Sequence, residues 1–309
     1  MSKKEWIIIV AIVIVGSVAT GGLIYRNHHN IKHLSSQGNL PEAQSHSTYN
    51  LNLMGTPTNG IYPVNQPTTL TFDIKDQNNN VFKNFAVDYT KLVHLIVVRK
   101  DRTNFQHVHP TYDSKSGIFT LTGFEFPTDG DYRIFANFTP TGAQKDSMGM
   151  VLSVAPYQDI KVGDMSKYTP IALGQDKISS TVNGFTASLL APGTSTIGSP
   201  TYYAQHDTTA TVYIQKDGQL FKSLQEYLGS LGHMVILGPN LEFIHAHPLL
   251  DDVNSQTGKI TFMVNFPSGG QYKLYLQTQA DNQVTTHDFN LTVMDMPKSS
   301  SDSMSGMQM

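Results

Sequence analysis

The sequence predicts an all-β protein: two tandem immunoglobulin-like (or cupredoxin-like) β-sandwich domains after one N-terminal transmembrane helix. Three observations predict it. One uncharged apolar run lies near the N-terminus. The rest of the chain is a string of short β-branched and aromatic runs separated by turn residues. That string occurs twice, in the same order.

The apolar run is Trp6 to Tyr25, WIIIVAIVIVGSVATGGLIY. As a helix its 20 residues span about 30 Å, the hydrocarbon thickness of a bilayer. Trp6 and Tyr25 stand at its ends, where interfacial aromatics belong. The expected layout is a cytoplasmic N-terminus over 1–5, an anchor over 6–25, and the bulk of the chain outside the cytoplasm. Lys3 and Lys4 precede the run while Arg26 and Lys32 follow it, so the charge asymmetry that sets orientation is slight. The alternative is a signal sequence, cleaved after Ser17-Val18-Ala19 or left uncleaved. Either places the remainder outside the cytoplasm.

Residues 26–47 are polar, without apolar periodicity, and read as a linker that carries His28, His29 and His33. The duplication follows. Thr68–Ile74 (TTLTFDI) matches Thr208–Ile214 (TTATVYI), and KLVHLIVVRKDRTNFQHVHP (91–110) matches SLGHMVILGPNLEFIHAHP (230–248). Phe126-Pro127, Gly130 and Tyr132 match Phe266-Pro267, Gly270 and Tyr272, and Val151–Val154 is aligned with Asn290–Val293. A repeat kept in order over this length marks two copies of one unit. The expected boundaries are 48–156 for the first sandwich, 157–177 for a linker and 178–295 for the second. Runs such as HLIVV and YRIFANF have strand composition, and Asp, Asn, Gly and Pro punctuate them. Some seven strands in roughly 110 residues is the arithmetic of an immunoglobulin-like domain. Leu220–Leu231 is the one short-helix candidate outside the anchor. The tail over 296–309, rich in Met and Ser, is expected to be disordered.

Composition excludes several classes of function. Charged residues are 15% of the chain and the formal net charge is -3, so no basic stripe suits nucleic acid. Cysteine is absent, which removes disulfides, thiolate metal sites and cysteine nucleophiles.

The 12 histidines are the chemically informative residues. Six occupy equivalent positions: His94, His107 and His109 in the first repeat, and His233, His245 and His247 in the second. His-x-His on a strand puts both rings on one face. A hairpin turning about Asp101/Arg102 sets His94 opposite His109, and one turning about Asn240 sets His233 opposite His247. Opposed side chains are about 5 Å apart at Cβ, so each trio can close on one ion. Counting back from the closing strand aligns His287 with Met148, and these are the candidate fourth ligands, one an imidazole and one a thioether. The competing reading is that these histidines are structural, holding the chain before Pro110 and Pro248. Nitrogen donors with a thioether, and few carboxylates, suit copper, with zinc the alternative. Five of the 12 Met fall in the C-terminal segment from Met294, which also suits Cu(I). With an ordinary imidazole pKa of about 6.5, binding is expected to weaken between pH 7 and 5.

The segments HLIVVRKDRTNFQHVHP and GHMVILGPNLEFIHAHP, with the Phe-Pro…Gly-x-Tyr segment, resemble the His…His-x-His-Pro region of bacterial extracytoplasmic sandwich domains labelled YtkA-like or heavy-metal-associated. The resemblance covers both repeats but neither the anchor nor the tail, and implies heavy-metal handling, with copper foremost.

The functional expectation is a membrane-anchored, extracytoplasmic copper-binding protein for sequestration, sensing or delivery, with one His-rich site per repeat. Its expected partners are a metal ion and, through the anchor, the membrane. The alternative is a surface or adhesion module with no metal. A metal-dependent hydrolase is the third class, with Glu226, Glu242, Asp251 and Asp252 as candidate bases. No nucleophile-elbow or zinc-protease motif supports it, and the chain is read as a non-enzyme.

Overall fold

The computed structural model describes residues 48–144, 152–190, 201–249 and 257–296. Among these, no helix is long and apolar enough to cross a membrane. The expected anchor over 6–25, the linker over 26–47, Met148, and the tail beyond residue 296 lie outside the described residues.

The first repeat contributes β1 (Asn50–Met54), β2 (Ile61–Tyr62), β3 (Thr68–Lys75), β4 (Phe85–Ala86), β5 (His94–Arg99), β6 (Gln106–Val108), β7 (Thr111–Asp113), β8 (Ile118–Phe124), β9 (Gly130–Asn137), β10 (Thr139–Pro140) and β11 (Tyr157–Val162). The second contributes β12 (Ser179–Val182), β13 (Phe185–Leu189), β14 (Tyr202–Tyr203), β15 (Asp207–Lys216), β16 (Gln219–Leu220), β17 (His233–Leu237), β18 (Phe243–Ala246), β19 (Lys259–Asn265), β20 (Gly270–Ala280) and β21 (Gln283–Met294). One 3-10 turn, Met165–Lys167, lies between them.

Each repeat is a sandwich. In the first, the sheet β1-β3-β8-β7 faces the sheet β2-β11-β9-β5-β6. In the second, β15 joins β13, β16 and β19 in one sheet, and the other runs β14-β21-β20-β17-β18. The fold is set by alternation. Leu70, Phe72 and Ile74 of β3 meet Leu95, Val97, Tyr132 and Ile134 in the first core. Ala210, Val212 and Ile214 meet Met234, Ile236, Tyr272 and Leu274 in the second. Both sandwiches carry a tyrosine corner, a feature of immunoglobulin-like folds. Tyr132 donates its hydroxyl to the Thr128 carbonyl at 3.1 Å, and Tyr272 to that of Ser268 at 2.8 Å. The expected all-β, duplicated architecture is thus present.

Three expectations are corrected. The linker expected over 157–177 opens on a strand, β11, which pairs with β9 from Tyr157↔Phe135 to Val162↔Gly130. The closing strand of the first sandwich is therefore Tyr157–Val162 and not Val151–Val154. Its counterpart β21 pairs Val293 with Gly270, so Val162, not Val154, corresponds to Val293. The helix candidate Leu220–Leu231 is instead extended chain ending in a tight turn, with Tyr227 and Ser230 exchanging backbone hydrogen bonds.

β5 and β17 are buried along their whole length, on both faces. One face of each serves its own core. On the other face, Ile96, Val98, Phe135 and Ala155 of the first repeat pack with Val235, Leu237, Leu241, Phe243 and Tyr275 of the second. The two five-stranded sheets therefore meet through their outer faces. The contact is pseudo-symmetric: Phe105 stacks on Tyr275 with centroids 4.3 Å apart, and Phe243 stacks on Phe135 at 4.7 Å. By register, Phe135 and Tyr275 hold equivalent places, opposite Ile96 and Val235.

Candidate metal centre

The outer faces of β5 and β17 begin with histidine, and this places all six repeated histidines at one end of the interface. The hairpins have the expected register. Leu95↔Val108 and Ile96↔His107 set His94 against His109, and Met234↔Ala246 sets His233 against His247.

In the first repeat three nitrogens converge. His94 Nδ1 lies 3.0 Å from His107 Nε2, and His109 Nε2 lies 3.2 Å from each. Neighbouring nitrogens of a tetrahedral site at ~2.0–2.1 Å from an ion are about 3.3–3.4 Å apart, so the triangle has the size of a metal's donor set. The protonation pattern decides what the contacts are. His94 Nε2 is 3.1 Å from the Asp88 carbonyl, which only accepts, so Nε2 carries the proton and Nδ1 a lone pair. His107 Nδ1 is 2.7 Å from Gln277 Oε1. The Gln277 amide is oriented by its Nε2, which donates to Thr286 Oγ1 at 3.2 Å, so His107 Nδ1 donates and Nε2 carries the lone pair. The 3.0 Å contact between His94 and His107 thus sets two lone pairs face to face, an arrangement that a cation between them stabilises.

The second repeat has the same kinds of outer partner. His233 Nε2 donates to the Tyr227 carbonyl at 2.9 Å. His245 Nδ1 donates to Asn137 Oδ1 at 2.8 Å, and the Asn137 amide is held by Ser153 Oγ and the Val154 carbonyl. The nitrogens equivalent to the converging ones, His233 Nδ1, His245 Nε2 and His247 Nε2, are all buried without a hydrogen-bond partner. Ring nitrogens of these three residues lie within 4.8 Å of one another. A buried polar atom left unsatisfied costs about 1–3 kcal/mol, and a bound ion would satisfy all three together.

A profile described as a domain of unknown function, DUF8832, matches residues 45–154 and again residues 193–295. The chain belongs to the DUF8832 family. No curated protein matches it. Among solved structures, this DUF8832 chain is similar to the fibronectin(III)-like modules of CbhA from Clostridium thermocellum, at 10% identity over 79% of this chain and 94% of that one, with a TM-score of 0.21. It is also similar to alpha-2-macroglobulin of Salmonella reacted with methylamine, at 11% identity over 84% of this chain but only 15% of that one, with a TM-score of 0.24. The immunoglobulin-like assignment of the DUF8832 repeats rests on sheet order and tyrosine corners, not on these superpositions.

The remaining candidates of the DUF8832 chain fall elsewhere. His287 opposes Leu276 on the inner face of its sheet, and its Nδ1 donates to the Ser180 carbonyl at 3.0 Å. It points into the second core, away from the six. Its register counterpart is Pro156, which bonds Ala136, and not Met148. Glu242 is occupied by its own turn, accepting from the backbone and side-chain amides of Asn240 at 2.8 and 3.0 Å. Glu226 is exposed, and Asp251 and Asp252 lie outside the described residues.

Burial lowers the pKa of all six histidines: His109 falls to about 3 and His233 to about 4. The rings are therefore neutral donors near pH 7. Sequence reading missed four groups that orient them: the Asp88 and Tyr227 carbonyls, Asn137 and Gln277. A signal for the last two was present, since each is a carboxamide at the equivalent place in its repeat, five residues after the matched Tyr132 or Tyr272. Tyr89 was also missed; its ring stacks on His247 with centroids 3.7 Å apart.

Proposed function

We propose that the chain is a membrane-anchored, extracytoplasmic metal-binding protein that sequesters, senses or delivers copper. One observation carries the reading: two trios of imidazoles gather at one end of the interface, and in each trio a carbonyl and a carboxamide hold the opposite nitrogens of two rings so that their lone pairs face inward. Ligating histidines are oriented in this way by outer partners. Six neutral nitrogen donors favour copper, with zinc the second choice, over calcium or magnesium. The resemblance to YtkA-like, heavy-metal-associated segments points the same way. The apolar Trp6–Tyr25 segment supports an anchor, and with it a place outside the cytoplasm.

Elemental analysis of the purified chain tests the reading, after chelator stripping and reloading with Cu(I), Cu(II) or Zn(II). The expected content is about two ions per chain, falling to about one when His107 and His109 are both replaced by Ala. Retention of no transition metal by the folded wild-type chain overturns it. Tighter retention of zinc than of either copper ion overturns the choice of metal.

A further inference from the structure

Resting on that reading of the histidines as ligands, we propose that the two triads form a single dinuclear centre, in which the two metal ions share one small bridging anion.

The triads are not separate sites. The His94 ring centroid lies 5.1 Å from that of His245 and 6.1 Å from that of His233. His107 lies 5.5 and 6.0 Å from the same two rings. Inside a triad the spacings run from 4.4 Å for His245–His247 to 5.8 Å for His233–His245. The shortest spacings across the triads fall within the range found inside them, so the two sets of rings adjoin. Ring nitrogens of His94, His107 and His245 lie within 4.8 Å of one another, so His245 borders both ions. Each triad supplies three nitrogens, which leaves an open position on an ion that takes four ligands.

Charge then requires an anion. An imidazole ligand brings no negative charge to an ion. The charged groups acting on them are Asp88, which favours a cation near His94, and Lys91, which opposes one near His94 and His109. The second-repeat counterpart of Asp88 is Tyr227, an uncharged residue. Two divalent ions would bring four positive charges to a site beside which, among the described residues, Asp88 is the carboxylate that acts on these rings. Buried charge is retained only when it is compensated, and an anion between the open positions compensates both ions at once. Hydroxide is the simplest such anion, and azide is a suitable probe.

The test uses the purified full chain loaded with Cu(II), its copper counted by elemental analysis and its spins by electron paramagnetic resonance. The expected result is both coppers bound, an integrated signal well below that of two isolated ions, and a half-field transition. Azide should saturate at one per copper pair with a new charge-transfer absorption. Denaturation in acid should restore the full Cu(II) signal; a signal that stays lost marks reduction to Cu(I) and overturns the bridged pair. Two bound coppers giving full, uncoupled intensity, with one azide each, overturn the shared centre and leave the metal-binding reading intact. Failure to bind copper defeats both.

Discussion

Two carboxamides govern how the triads present their nitrogens, and each belongs to the opposite repeat. Gln277 fixes the proton of His107 on Nδ1, and Asn137 does the same for His245. Gln277→Leu preserves much of the volume and removes the acceptor. It should weaken metal binding in the first triad by about 10–100-fold, the usual effect of losing an outer partner of a ligating histidine. Competition against a chelator of known affinity checks this, and wild-type affinity would refute the orienting role. The same burial sets the response to acid. An unfolded histidine takes up a proton below about 6.5, whereas His233 in the fold resists until about 4 and His109 until about 3. Across that window the unfolded chain binds more protons, so stability of the metal-free fold is lost as pH falls. His287 adds to the loss, and Asp88, whose pKa burial raises, opposes it. Melting of the metal-free chain should therefore decline from about pH 6.5 to about pH 4, above the range where Asp288, held at about 2 by Lys177 and Lys273 despite its burial, begins to matter. A flat profile there would contradict buried neutral rings. Metal binding by the folded chain should change little between pH 7 and 5, contrary to what ordinary imidazoles imply.

At the level of elements, the hairpins were legible because polar turns centred on Asp101/Arg102 and Asn240 leave only one register that pairs the histidines. β11 was not. In YQDIKV only Ile160 and Val162 are buried, while Asp159 engages Lys100 and Arg133, so the segment reads as linker. Missing it shifted the alignment and wrongly paired His287 with Met148. The turns before β5 and β17 were also illegible. Asp88 and Lys91 exchange backbone hydrogen bonds around Tyr89 and Thr90, at φ 41° and 69°, in place of the Asn-Gly pair such turns favour. A β-branched residue in that region is strained. The turn aims the Asp88 carbonyl at His94 and lays Tyr89 over His247. The second repeat has Leu228 where the first has Tyr89, so the two triads are covered differently. Tyr89→Ala should uncover His247 and speed the transfer of one of two bound ions to a chelator. Stopped-flow kinetics would show one accelerated phase, and two unchanged phases would dismiss Tyr89 as a cover.

For the whole molecule, the repeats pack as the halves of a symmetric dimer do, with residue i meeting j and j meeting i. The sequence contained a sign of this. A strand buried on one face alternates, whereas HLIVV and HMVIL are unbroken apolar runs, the pattern of strands covered on both faces. The alternation rule alone assigns only one of those faces, which is why two independent sites were expected where the structure has adjoining triads. The proposal of an anchor over Trp6–Tyr25 gives a separate expectation: protease added to intact cells should digest both sandwiches, and full protection in cells with permeable outer layers would refute the placement.

The interface yields the most discriminating mutation. Phe243 is buried between the sheets, stacked on Phe135, and is itself no ligand, although its ring centroid lies 6.3 Å from that of His245. Phe243→Ala should cost about 3–5 kcal/mol if the contact cannot collapse. The consequence for metal follows from the crossed carboxamides. As the sheets separate, His107 loses Gln277 and His245 loses Asn137 together, so both triads lose an outer partner from a change that removes no ligand. Metal affinity should therefore fall at both ions in parallel, whereas replacing His107 and His109 removes one ion and leaves the His233 triad with its own ligands. Chemical denaturation and copper titration of the same Phe243→Ala sample measure the two effects side by side. A large loss of stability with unchanged affinity for both ions would mean that each repeat organises its own triad. Loss confined to one ion would mean that only one of the crossed carboxamides matters.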